Sequence, residues 1–118
     1  MTESDYIAEL KSRWPNDEAG KREASMETLA LADEAVRAFP RSSPLWVIRG
    51  NLLELGAEEC SLPLEESLVC YKKAIEIDPQ FAEAWEEAGY FYHNVLNDEA
   101  TAKPYFQEAA KLRGQRAA

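Results

Sequence analysis

The feature that most constrains this chain is an internal repeat. Pro40, Trp46 and Gly50 recur as Pro79, Trp85 and Gly89, each pair 39 residues apart. Three residue types held at one offset point to a single supersecondary unit used more than once. Each proline comes after an apolar-periodic stretch. Because proline lacks the amide donor and disfavours helix in the residue before it, a helix ends there and another begins. In the later copy Trp85, Ala88, Gly89, Tyr92, Val95 and Leu96 fall at helical spacing on one face, an apolar stripe whose glycine admits a close neighbour. A second helix is predicted after each first one, carrying Leu64, Leu68, Tyr71 and Ile75, then Ala102, Phe106, Ala109 and Leu112. One such pair cannot bury its apolar face alone, whereas stacked pairs can.

A fainter pair precedes these two. Ser4 to Arg13 presents Tyr6, Ile7 and Leu10; Trp14-Pro-Asn-Asp reads as a turn; a segment from about Asp17 to Phe39 sets Leu29, Ala32, Val36 and Phe39 on one face. The expectation is an all-α chain of about six helices in one domain over residues 1–113. Its units span roughly 3–40, 41–79 and 80–113, and residues 114–118 form a frayed tail.

These residues resemble the tetratricopeptide repeat family, whose unit reads W-x₂-L-G-x₂-Y, then A-x₃-F, then an alanine and a closing proline. The last unit carries Trp85, Ala88 in place of leucine, Gly89, Tyr92, Ala102, Phe106 and Ala109. The middle unit carries Trp46, Arg49 in place of leucine, Gly50, Leu53 in place of tyrosine, then Ser67, Tyr71, Ala74 and Pro79. The first keeps Thr28, Ala32, Ala35 and Pro40. The resemblance implies a right-handed superhelical stack of antiparallel helix pairs. Three departures stand out. The middle unit is longer than the family's period, with the surplus between its helices around Gly56–Leu62, and Pro63 suits the first turn of the next helix. Pro104 falls where helix is expected, so that helix either starts late, near Thr101, or kinks. No polar capping helix comes after Leu112, which leaves an apolar flank as a candidate homodimer contact.

Such repeats imply binding of an extended or helical peptide along the face lined by the first helix of each pair. Helical spacing places Glu83, Glu86, Glu87, Tyr90, His93 and Asn94 opposite the Trp85 stripe, with Val47, Asn51 and Glu54 facing the same way in the middle unit. Some family members hold a C-terminal carboxylate there with Lys, Arg and Asn. At the matching positions only Asn51 fits, and Glu83, Glu86 and Glu87 would repel an acidic terminus. The expected ligand is therefore a basic or neutral apolar peptide.

Charge supports that direction. The net charge is −9, and residues 51–99 hold twelve acids against only Lys72 and Lys73, which argues against a phosphate backbone as partner. No apolar run suggests a membrane span, Met1–Leu10 lacks the pattern of a secretory signal, and the expected location is the cytoplasm. Cys60 and Cys70 with a single histidine assemble no zinc pattern, and a disulfide between them is not expected. No metal or cofactor is implied. His93 has Glu86, Tyr90 and Asn94 nearby but no nucleophile or second histidine to complete a catalytic set, so no enzymatic role is expected. Glu58 and Glu59 beside Cys60 would blunt its reactivity. The leading reading is a non-enzymatic protein–protein interaction module such as an adaptor or scaffold. A secretion-chaperone-like holdase and a self-assembling structural subunit stand as alternatives.

Overall fold

A computed structural model of the chain describes residues 1–15, 23–56 and 62–117, with side chains through residue 114. Apart from one isolated bridge between Ala24 and Gly56, all regular structure among the described residues is helical. Among these residues six helices run in order: α1 (Glu3–Ser12), α2 (Met26–Ala38), α3 (Ser43–Glu54), α4 (Glu66–Ile77), α5 (Ala82–Tyr90) and α6 (Glu99–Ala117). A π turn, Phe91–Val95, continues α5.

Local chemistry sets most of the helix starts. Thr2 and Asp5 form a reciprocal capping box on α1, with bonds of 3.1 and 2.9 Å. Ser25 accepts from Thr28 N at 3.1 Å at the start of α2, and Ser42 from Leu45 N at 3.3 Å at the start of α3. Asp98 accepts from Thr101 N at 3.1 Å at the start of α6. The long helix expected from Asp17 is thus corrected: α2 begins only at Met26, where Ser25 supplies the cap, and residues 17–22 lie outside the described ones. Pro63 does not enter α4. It opens a turn in which Glu66 N donates to Pro63 O and Ser67 N to Leu64 O, and Leu64 is left exposed. The helix around Pro104 starts early rather than late, at Glu99, and runs through the proline to Ala117, past the expected boundary at residue 113. Pro104 and Ala100, whose carbonyl loses its intrahelical donor to the proline, are both exposed.

Packing obeys the repeat. The pairs α3/α4 and α5/α6 make the broadest contacts, α2 and α4 each pack on the first helix of the next unit, and α1, α3 and α5 touch in succession. Two apolar clusters result. One joins α1, α2 and α3 through Tyr6, Leu10, Leu29, Ala32, Leu45 and Leu52. The other joins α3, α4 and α5 through Val47, Tyr71, Ala74, Ala84, Ala88 and Phe91. Trp46 packs against both.

The repeated residues perform one job twice. The Trp46 indole donates to Pro40 O at 2.9 Å and the Trp85 indole to Pro79 O at 2.8 Å, so each tryptophan fastens the start of its helix to the preceding turn. A Cβ on Gly50 would lie 2.5 Å from the Tyr71 ring, and one on Gly89 would lie 2.9 Å from the Phe106 ring. In both places glycine lets an aromatic ring of the second helix press on the first. The surplus residues of the middle unit are absorbed between α3 and α4, because Tyr71 reaches its glycine as Phe106 does.

One sequence expectation fails here for an identifiable reason, and one departure from the repeat finds its role. Val95 and Leu96 leave the apolar stripe and are exposed. The π turn, closed by the bond from Leu96 N to Phe91 O at 3.2 Å, adds one residue to a turn and rotates the residues beyond it by about 100°. Arg49, standing where the repeat has leucine, is buried without being apolar. Its guanidinium reaches Asp33 on α2 at 2.7 Å, Glu66 on α4 at 3.4 Å and Cys70 Sγ at 2.9 Å, tying the first unit to the second.

Candidate functional site

Apart from Val47, the residues singled out by sequence lie on the outer surface of α3, α5 and the π turn, and the structure sorts them into three groups. At 1% exposure Val47 lies in the core with Tyr71, Ala84 and Ala88, because at this point α5 docks directly on α3.

Asn51, Glu54 and Glu87 form the first group, with Glu83 one turn before Glu87. Tyr71, fully buried on α4, sends its hydroxyl up between them. The hydroxyl lies 2.7 Å from Asn51 Oδ1 and donates to Glu54 Oε2 in a short bond. A phenol has one proton, so donation to the carboxylate leaves Asn51 best oriented with its amide nitrogen toward the phenol oxygen. Burial first, and then the bond to Glu54, hold the Tyr71 phenol far above its ordinary range. Burial also raises the Glu54 carboxyl, and the Tyr71 bond partly offsets it. Glu87 is pushed up to about 7, first by burial and then by the charges of Glu54, Glu83 and Glu86. Among the described residues, this is a patch where carboxylates crowd with no base paired to Glu54, Glu83 or Glu87.

Glu86 belongs to a second setting. It turns toward α6 and pairs with Arg113 at 3.2 Å. The third group lies at the end of α5, where the Tyr90 ring meets Phe106 edge-on at 5.1 Å and the His93 ring stands 6.4 Å from the same phenyl. His93 Nδ1 lies 2.8 Å from Asn94 Oδ1, and Nε2 lies 3.5 Å from Glu99 Oε1. His93, Glu99, Lys103, Phe106 and Ala110 line an open recess of about 450 Å³.

Sequence spacing found the carboxylates but missed what organises them. Tyr71 and Phe106 were recognised only as packing residues, yet each sits under the site. The available signal was covariation between units. Asn51 and Glu54 correspond, 39 residues on, to Tyr90 and His93. The unit with a phenol beneath has polar partners above it, and the unit with a phenyl has aromatic ones.

Elsewhere, Cys70 is a free buried thiol, pushed up to about 11 chiefly by burial. The expectation for Cys60 falls on a residue outside the described ones. Among the described residues, no helix is long and apolar enough to cross a membrane.

Residues 64–95 match the family model of the TPR repeat. The match covers the approach to α4, all of α4 and α5, and the π turn. It starts beyond the lengthened loop of the middle unit. None of the curated proteins compared with the chain matches it.

Proposed function

We propose that this chain, which carries a tetratricopeptide repeat at residues 64–95 with helix pairs stacked on either side, holds a basic or neutral apolar segment of a partner protein. Tetratricopeptide repeats serve in general as protein–protein interaction modules. The finer reading places the segment on the face made by Asn51, Glu54, Glu83, Glu87 and Tyr90, with the recess beside His93 and Asn94 at its end.

One observation carries this reading. Glu87 is a half-buried carboxyl pushed up to about 7 by burial and by the charges of Glu54, Glu83 and Glu86. Of those three neighbours, Glu86 alone pairs with a base among the described residues. A partner's cation placed beside Glu87 relieves mutual repulsion and takes up the position the face leaves uncompensated. The cation prefers ionised Glu87, and Glu87 ionises as pH rises through about 7. Affinity for a lysine-bearing peptide should therefore increase from pH 6 to pH 8, and rising salt should weaken it.

The test is fluorescence anisotropy with a labelled lysine-rich peptide and a labelled peptide ending in an acidic C-terminus. The lysine-rich peptide should bind, and Glu83→Lys with Glu87→Lys should weaken it about tenfold or more. Equal, salt-independent binding of the acidic peptide would sink the reading.

A further inference from the structure

On the other side of α3 the chemistry reverses. Arg49 and Asn51 are two residues apart, roughly 200° round the helix, so the surface near Arg49 faces away from the acidic patch. Here α2, α3 and α4 enclose a cleft of about 400 Å³, within the range of a small-ligand pocket. Its floor is Val36 and the half-buried Trp46 indole, and its rim includes Leu62 and Val69, which are 41% and 53% exposed.

The charges in the cleft are not equivalent. Asp33 and Glu66 are both engaged by Arg49 at the inner end, at 2.7 and 3.4 Å. Arg37 on α2 and Lys73 on α4 complete the lining, and among the described residues neither lies within ion-pair distance of a carboxylate. Helical spacing explains the arrangement. Asp33, Val36 and Arg37 share one face of α2, and Glu66, Val69 and Lys73 share one face of α4. The facing walls therefore run in the same order: acid, valine, base. The acids are satisfied internally, the valines are apolar, and only the bases are left to act outward. In a chain of net charge −9, an apolar cleft whose uncommitted charges, among the described residues, are both positive selects the opposite ligand from the acidic face.

We propose that this cleft is a second docking site, for an acidic peptide segment that lays one bulky apolar side chain on Trp46 and Val36 and sets flanking carboxylates against Arg37 and Lys73. The apolar anchor supplies burial over the indole, and the carboxylates fix the direction of the segment. The site does not depend on the acidic face, with which it shares no residue.

The probe is the acetylated, amidated pentapeptide Asp-Leu-Phe-Asp-Glu, titrated into the ¹⁵N-labelled full chain, with Asn-Leu-Phe-Asn-Gln as the neutral control. The acidic peptide should shift the Trp46 indole resonance and the amides of Val69 and Lys73, and should bind more tightly than the control. Arg37→Glu with Lys73→Glu should weaken it about tenfold. Val69→Ser, at a site too exposed to disturb folding, should weaken both peptides alike. Circular dichroism verifies that the variants keep their helices, and Glu83→Lys with Glu87→Lys should leave this binding intact. Equal binding of the neutral peptide, shifts confined to the Glu54 and Glu87 face, or no shifts at all in the folded protein would each overturn the proposal.

Discussion

The middle and last units solve the same packing problem with different chemistry. In the middle unit the ring pressed on the glycine is Tyr71, fully buried, and its hydroxyl reaches Asn51 and Glu54. In the last unit the ring is Phe106, only partly covered, and the matching positions hold Tyr90 and His93, whose rings approach it at 5.1 and 6.4 Å. The contrast stems from position in the stack. A unit covered on both sides buries its aromatic residue completely, and a buried phenol must find a hydrogen-bond partner. The last unit packs on α4, and its ring, only partly covered, takes aromatic contacts in place of buried polar ones. The middle unit thereby fixes a carboxylate in place, while the last offers an aromatic recess.

Four substitutions test this contrast. The largest effect is expected from Gly50→Ala, whose new Cβ would stand 2.5 Å from a ring that cannot retreat. Overpacking of about 1–3 kcal/mol should exceed the gain in helix propensity of roughly 1 kcal/mol. Gly89→Ala meets a ring at 2.9 Å that is only half-buried and borders the recess beside His93, so it should fall within about 1 kcal/mol of the parent. Urea denaturation of the two variants decides this, and equal losses would show that the units are packed alike.

Tyr71→Phe gives the middle unit the ring of the last. Loss of the hydroxyl should cost about 1 kcal/mol and free Glu54 to move, seen as a lower midpoint in urea and broadened Glu54 resonances. No change in either would mean that the phenol does not organise the face.

The smallest effect is expected at Glu87. Its carboxyl is raised in the fold to about 7 from 4.5. The folded state therefore holds the proton more tightly than the unfolded chain, and stability falls as pH rises from about 4.5 to 7. Glu87→Gln cannot ionise, so it should leave stability unchanged at pH 4 and raise it at pH 8. The gain should be at most about 1 kcal/mol, because the group is partly solvated and screened. Thermal melts at the two pH values read the difference directly, and a gain of equal size at both would refute the cause assigned here.

Much of the fold could be read from particular residues. The offset shared by Pro40, Trp46 and Gly50 with Pro79, Trp85 and Gly89 marked helix pairs, and all three residue types proved to act in both copies. Helix ends were less legible. Ser25 caps α2 well inside a stretch whose apolar pattern suggested continuous helix, since a cap is a local competition that periodicity does not record. The groove residues were legible as a charged stripe. Whether each faces outward was not: Val47 satisfies the spacing for exposure yet is covered by the docking of α5, and Glu86 turns to Arg113 on α6.

The sequence by itself determined what is local and periodic here: helical units, the glycine and tryptophan positions that let them pack, and an excess of acid in the central stretch. Tertiary structure decided which side chains meet. A π turn worth one residue moved Val95 and Leu96 off the apolar stripe, the stacking of α5 on α3 buried Val47, and Arg49 became an internal tie between units. Each outcome depends on rotation about a helix axis or approach between helices, and residue spacing fixes neither.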